Sequence, residues 1–382
     1  MTSTSSNKIN ISSSPHTFLK INTTHTMLFV IIALLPLCVK GVFLYGLSAL
    51  LVILTSVLSC VASEALFQLA TKQKIRVKDC SAIVTGILLA LVCPPTVPLW
   101  QVALGGIFAI IVAKEFFGGI GANVFNPALA GRAFMFVSFP TTMGATWLTP
   151  KNATVINFVE ATSAATSSAT SAATSAATGA AATSAATSAA TGAVATSAAT
   201  SAATGAVATA ATTVTESVDA ISSSTILSRL SEADLTVQNY WDFFFGNRAG
   251  CIGESSILLI LIAFVFLSVT RIIDWKTPLA MVGTVAIATL LAGGNVLMSV
   301  MAGGLLFGAV FMITDYATTP VTMWGRLIFA VGCGLITFLI RQFGGYPEGV
   351  MFSILIMNAV APFLNRIVPR KYGYGKPQKV GR

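Results

Sequence analysis

Long apolar runs with almost no charge constrain this chain more than any other feature. Only 9% of the 382 residues are Asp, Glu, Lys or Arg, whereas a soluble domain carries about 25%. So few charged groups cannot cover a water-exposed surface of this size. Lipid must therefore face most of the outside, and helices are the expected spans because they satisfy their own backbone hydrogen bonds.

Ten apolar runs approach the roughly 20 residues that cross a bilayer as a helix. The predicted fold class is an all-α integral membrane protein with about ten transmembrane helices, and five runs in each half are compatible with a 5+5 repeat. The first run begins near Met27 and is expected to remain as a span rather than be cleaved. The predicted spans are 27–44, 46–70, 81–98, 100–117, 125–140, 255–272, 277–293, 296–314, 326–342 and 346–366.

The basic residues predict that both termini are cytoplasmic, in a multi-pass protein of the cell's inner (plasma) membrane. With that orientation most lysines and arginines fall inside or at the inner edge, as the positive-inside rule requires. Their placement in short segments between apolar runs argues against nucleic acid as a partner. The predicted parts are an N-terminal tail 1–26, a first membrane half 27–140, an external segment 141–254, a second membrane half 255–366 and a C-terminal tail 367–382.

Residues 161–213 form a low-complexity insert in the external segment, built on a repeating Ser-Ala-Ala-Thr unit. The insert has no charged, proline or aromatic residue, and its frequent hydroxyl groups disfavour a span. Because it has no large side chain to bury, we expect it not to pack a core.

Three polar stretches interrupt the apolar pattern, and the third, 341–349, is predicted to be a turn in which Arg341 and Glu348 could pair. Residues 114–132 read KEFFGGIGANVFNPALAGR, and such a turn either frees backbone N–H groups for an anion or a flavin edge or simply connects two helices. Asp315 lies between apolar runs, which fits an ion path or a helix cap at the interface equally well. The candidate binding residues of the first stretch are Gly118, Gly119, Gly121, Asn123 and Asn126.

Several long motifs resemble one known family, the RnfD subunits of the Rnf ion-translocating electron transport complex. RnfD is related to NqrB, a membrane subunit of the Na⁺-translocating NADH:quinone oxidoreductase. The resemblance runs from about residue 15 to 375 and is broken only by the insert. The motifs that carry it lie at 81–100, 116–134, 243–256, 270–279, 314–322 and 341–362.

The resemblance implies an electron-carrying membrane subunit of a translocase, inactive on its own. The Rnf complex couples electron transfer between ferredoxin and NAD to movement of Na⁺ or H⁺. Its RnfD subunit carries FMN joined through the phosphate to an external threonine, a bond made by a flavin transferase. The expected partners are therefore the other Rnf subunits, the transferase and membrane lipid. The related NqrB also holds riboflavin noncovalently, which by analogy places a second flavin near Gly118–Asn126.

Three places compete for the flavin-bearing threonine, which in the family closes a Ser/Thr-Gly-Ala-Thr motif after an Asp. We choose Thr225, because an aspartate, Asp219, precedes it and the FFFGNRAG motif follows it at the distance expected from the family. The sequence departs from the family at Ser223 and Ser224, which stand where the family has Gly and Ala. The other two places are Thr146 and the Ser-Ala-Ala-Thr repeats, such as Ser201 to Thr204.

Two other functions stay open. One is an NqrB-like component of the quinone reductase, with a quinone in place of ferredoxin. The other is a non-redox transport subunit that has lost the flavin, which the altered residues before Thr225 would explain. The sequence offers no catalytic residue, no metal site and no cysteine cluster or Rossmann fingerprint, so we expect ferredoxin and NAD to bind other subunits.

Overall fold

The structure is a computed structural model that describes residues 23–72, 79–144, 241, 244–246, 250–301, 303–344 and 349–365. Helices account for the regular structure of these residues, which contain no strand. The helices are α1 Thr23–Tyr45, α2 Leu47–Ala70, α3 Ser81–Leu91, α4 Leu99–Ile111, α5 Pro127–Ser138, α6 Pro140–Gly144, α7 Ile257–Val269, α8 Lys276–Leu291, α9 Val296–Met301, α10 Leu305–Phe307, α11 Met323–Phe343 and α12 Val350–Leu364.

Four helices are long and apolar enough to cross a membrane. They are Thr23–Tyr45, Leu47–Ala70, Leu99–Phe117 and Met323–Phe343. Four shorter apolar helices, α3, α7, α8 and α12, accompany them. Each of the ten predicted runs contains helix, and the exposed side chains along α1 and α2 include many Leu, Ile and Phe residues. The predicted all-α class is therefore confirmed for the described residues, with four helices that could cross a membrane, while the number of ten spans and the 5+5 repeat stay predictions.

Two predicted helices differ from the structure. The run 81–98 stops being helical after Leu91, because Pro94 and Pro95 follow and a proline disfavours helix in the residue before it. The run 296–314 is divided into α9, α10 and a π-helical turn Gly308–Met312. Gly303 between them has φ of 67°, a left-handed conformation that ends a helix.

The bundle has two ends, named here by what they hold. The cavity side carries the beginnings of α1, α3 and α5 together with Lys114 and Asp315, which line a common cavity. The far side carries the end of α1, where Tyr45 donates a hydrogen bond to the carbonyl oxygen of Gly250 (3.3 Å). Helices that alternate in direction connect the two ends, as expected for successive membrane crossings.

Small residues allow α4 and α5 to pack closely. A methyl group on Gly131 would lie 2.7 Å from the carbonyl oxygen of Gly105 and 2.9 Å from Cβ of Ala109. Glycines that bring helix backbones together are a common way to gain packing contacts in lipid, where the hydrophobic effect gives no preference for helix association. This contact fixes α5, which begins at the cavity.

Replacing Gly131 by valine is expected to destabilise the chain by about 1–3 kcal/mol, since the backbone of α4 cannot move away without opening the interface. Thermal unfolding of the full-length chain in detergent measures the effect. Gly283→Val is the matched control, because no atom lies within 4 Å of a methyl group at that position of α8. Equal melting temperatures for the two variants would contradict the prediction.

Candidate functional site

A cavity lies between the two membrane halves on the cavity side. The first half contributes α1, α3, the 114–127 segment and α5, and the second half contributes α7, the π-helical turn and the residues after it. Apolar walls combine with a few polar side chains, which is the usual composition of a ligand pocket. The polar and charged lining residues are Thr26, Ser81, Thr85, Lys114, Asn123, Asn126, Thr314, Asp315 and Tyr316.

Two of the candidate binding residues, Asn123 and Asn126, line the cavity. Asn126 is the N-cap of α5: its Oδ1 accepts hydrogen bonds from the backbone N–H groups of Ala128 (3.1 Å) and Leu129 (3.4 Å). Asn123 donates through Nδ2 to the carbonyl oxygen of Phe125 (3.2 Å). Both amides are buried, so the turn holds them rigidly at the wall.

The three candidate glycines shape this turn but do not line the cavity. Gly118, Gly119 and Gly121 have φ angles of 109°, 89° and 86°, which side chains rarely tolerate. Of the turn residues between Gly118 and Asn126, the cavity is lined by Ile120, Asn123 and Asn126. The glycines therefore support the binding residues indirectly.

Asp315 stabilises a local turn and also lines the cavity, so the structure is compatible with both roles considered from the sequence, a structural cap and a part of an ion path. Its carboxylate accepts hydrogen bonds from the Ala317 N–H (3.2 Å) and the Thr318 hydroxyl (3.3 Å), which stabilise the turn after the π-helix. The same residue also lines the cavity. Burial raises the pKa of the Asp315 carboxyl, and the two hydrogen bonds oppose that rise in pKa.

An apolar layer separates the cavity from the far side. Phe311 and Leu88 line the cavity, and the ring of Phe307 lies 5.1 Å from that of Phe311. Beyond them Gly253 packs closely: a methyl group there would lie 2.8 Å from Cβ of Leu91 and 3.1 Å from the Phe307 ring. Leu91 and Phe307 are both buried, so the side chains that meet Gly253 at this point are apolar.

The segment predicted to be external is attached at the far side. Before it, Thr142 donates a hydrogen bond to Oε1 of Gln101 (2.7 Å) near the start of α4. After it, Gly246 contacts the backbone of Ser255 so closely that a methyl group would overlap the carbonyl oxygen. Residues 145–240 therefore connect two points on the same side, opposite the cavity. Thr225, Thr146 and the insert 161–213 lie outside the described residues.

The sequence did not reveal the partners of Lys114. Its Nζ lies 2.9 Å from Oε1 of Glu64 and 2.7 Å from Oγ of Ser81, in a buried cluster. Glu64 is fifty positions earlier in the chain. A charged residue inside an apolar run was the available signal, since such residues are paired or functional.

Known proteins resemble this chain over nearly its whole length. A sequence model of the NQR2, RnfD, RnfE family matches residues 10–373. The chain is 36% identical over 375 residues to the RnfD subunit of the Na⁺-translocating ferredoxin:NAD⁺ oxidoreductase complex of Acetobacterium woodii, covering 97% of each chain.

Two further relatives carry related names. The chain is 35% identical to the RnfD subunit of the proton-translocating ferredoxin:NAD⁺ oxidoreductase complex of Clostridium ljungdahlii, covering 96% of this chain and 97% of the relative. It is also 35% identical to the RnfD subunit of the ion-translocating oxidoreductase complex of Stutzerimonas stutzeri, covering 92% and 93%. The residues that the family model matches include those of the cavity and of the far-side attachment. The chain therefore belongs to the NQR2, RnfD, RnfE family.

Proposed function

We propose that this chain is the RnfD membrane subunit of an Rnf-type ferredoxin:NAD⁺ oxidoreductase complex that moves ions across the membrane. The observation that carries the proposal is the cavity between the halves, with charged Lys114 and Asp315 and rigid amides in its wall. Near-complete coverage of the RnfD relatives supports the same assignment. In this function the chain contributes binding and positioning, and the other Rnf subunits are its partners.

For the cavity we propose a noncovalent flavin, riboflavin, as the occupant. The apolar side chains of Val84, Leu88 and Phe311 offer contact surface for the ring system, and the Asn126 amide adds a polar group to the same wall. Lys114 adds a positive charge beside them. A bound flavin would supply one-electron chemistry, while these residues would set its position and its electrostatic surroundings.

A second flavin, FMN, is proposed on the far side, joined through its phosphate to Thr225 by a flavin transferase. The attachment points before and after residues 145–240 support this, because both lie on the far side, opposite the cavity. The positive-inside rule makes the cavity side cytoplasmic and the far side external. The two flavins would then lie on opposite membrane faces.

The cavity also serves as the cytoplasmic mouth of an ion path. Asp315 places an acidic group at this mouth, and in this proposal the apolar side chains of Leu88, Phe311 and Phe307 close the path beyond it. Such an arrangement requires a change of conformation before an ion crosses, as coupled transport demands. Relatives named for Na⁺ and for protons are 36% and 35% identical, so overall similarity does not choose the ion.

The proposal predicts that filling the cavity expels the noncovalent flavin. Thr85 lines the cavity and is 8% exposed, so Thr85→Phe places a ring where the flavin would bind. We expect the flavin released by acid from the purified complex to fall at least about tenfold, since overlap with the ring costs more than about 1.4 kcal/mol. Chromatography of the acid extract measures the flavin and identifies it.

Leu58→Phe is the control, because Leu58 is 67% exposed on the lipid-facing side of α2. This variant is expected to release as much flavin as the wild type. Equal flavin in both variants would mean that the cavity is not the binding site, and no released flavin from the wild type would refute the cavity assignment.

A further inference from the structure

Lys114 and Glu64 form a buried ion pair behind the cavity wall. Only 3% of the lysine side chain and 2% of the glutamate side chain are exposed, and Nζ lies 2.9 Å from Oε1. Ser81 at the start of α3 adds an acceptor at 2.7 Å. The cluster joins α2, α3 and the end of the α4 span in one place.

The ammonium group of Lys114 has more hydrogen-bond donors than Glu64 and Ser81 accept. An ammonium group has three N–H donors, and Glu64 and Ser81 accept two of them. Lys114 and Ser81 line the cavity, whereas Glu64 does not. The lysine therefore stands between the glutamate and the cavity, and its third donor has no acceptor among the described residues, so it can serve a molecule bound there.

Glu64 is less well satisfied than a purely structural ion pair would be. Its Oε1 accepts from Lys114 and from Nε2 of Gln68 (3.3 Å), while its Oε2 has no hydrogen-bond partner among the described residues. Burying two charges costs about as much free energy as their attraction returns, so such pairs add little stability. The cluster is better explained as a means of holding the positive charge of Lys114 at the cavity wall.

We propose that Lys114 stabilises negative charge in the cavity and that Glu64 is the positioning residue that holds it there. The inference rests on the proposed function, because it needs a redox group in the cavity. Of the described residues that line the cavity, Lys114 is the one with a positively charged side chain. One electron added to a group there adds one negative charge, and a nearby ammonium makes that charge more favourable. No bond forms or breaks at Lys114.

The midpoint potential of the noncovalent flavin tests this role in the intact complex. Lys114→Met is expected to lower the potential by at least about 59 mV, which is a tenfold change in a one-electron equilibrium. Lys114→Arg keeps the positive charge and is expected to restore most of the potential. A spectroelectrochemical titration of the purified complex measures each value, and acid extraction measures flavin content in the same samples.

A double-mutant cycle separates positioning from an independent effect of Glu64. We expect Glu64→Gln to shift the potential in the wild-type background, and the shift to be at least halved when Lys114 is already Met. Equal shifts in both backgrounds would show that Glu64 does not act through Lys114. If Lys114→Met does not assemble, the double variant Glu64→Gln/Lys114→Gln removes both charges and is expected to show the lowered potential.

Thr337→Val is the matched control for loss of a buried polar contact. Thr337 is fully buried and shares a 2.7 Å hydroxyl contact with Ser353, outside the cavity. A merely structural role for Lys114 predicts lowered stability in both variants and an unchanged potential in both. If the wild-type complex releases flavin and Lys114→Met has the wild-type potential, the inference fails and the proposed function stands. A wild-type complex without released flavin overturns both.

Discussion

The variant Thr225→Val is expected to lose covalent flavin completely. Valine has nearly the shape of threonine but no hydroxyl oxygen, so no phosphoester bond can form at this position. In a host that supplies the flavin transferase, the denatured wild-type chain should give a yellow-green fluorescent band in a gel under ultraviolet light. The Thr225→Val chain should give no band at equal protein load.

Thr146→Val is the control, because Thr146 closes the competing Met-Gly-Ala-Thr sequence. This variant is expected to remain as fluorescent as the wild type. Fluorescence that persists in Thr225→Val would move the attachment to Thr146 or to the repeats. A wild-type chain without fluorescence would refute the covalent FMN and, if acid also releases no flavin, would favour a non-redox transport subunit.

The second large effect is expected from Asp315→Asn. The amide oxygen can still accept the hydrogen bond from the Ala317 N–H, and the amide NH2 group at the other position can donate to the Thr318 hydroxyl, so the turn should remain. The negative charge at the cavity mouth is lost. We expect ion accumulation in proteoliposomes containing the complex to fall at least about tenfold, because losing a cation's charge partner costs more than about 1.4 kcal/mol. Sodium uptake and internal acidification, measured separately, also show which ion moves.

The raised pKa of the Asp315 carboxyl adds a pH dependence with a definite sign. Below its pKa the carboxyl is neutral and resembles asparagine, whereas above its pKa the group is charged and attracts a cation. Ion accumulation by the wild type should therefore fall on acidification at a pH above the usual range for aspartate. The residual accumulation of Asp315→Asn should not share this step.

Asp274→Asn is the control for loss of an acidic residue on the same side. Asp274 pairs with Arg326 at 3.4 Å, and both side chains are partly exposed, so the pair contributes little. Its loss is expected to leave ion accumulation within about twofold of the wild type, as small surface effects usually do. A similar fall in both variants would mean that the effect of Asp315→Asn comes from surface charge.

The sequence predicted the membrane helices well, because hydropathy depends on local composition. It placed α1 and α2 within a few residues of their ends. It failed at Gly303, where one residue in a left-handed conformation divides an otherwise apolar run. Hydropathy cannot detect such a division, since glycine hardly changes the average over a window of about 19 residues.

The candidate site was only partly predictable, because some of its residues share a local motif and others meet only through long-range contacts. Asn123 and Asn126 were found because they share one turn with glycines and a proline. The contact between Lys114 and Glu64 joins residues fifty positions apart, and no local pattern predicts which acid a lysine meets. The cavity itself depends on both halves coming together, so its lining could be assembled only from the three-dimensional structure.

Because residues 145–240 connect two points on one side, the length of this segment has little effect on the free energy of folding of the membrane helices. For a flexible connection, doubling the number of residues costs only about 0.6 kcal/mol in loop-closure entropy. Repeats can therefore be gained or lost by replication slippage without selection against misfolding of the membrane helices. The same tolerance makes the segment a suitable position for inserting a fluorescent reporter or an affinity tag.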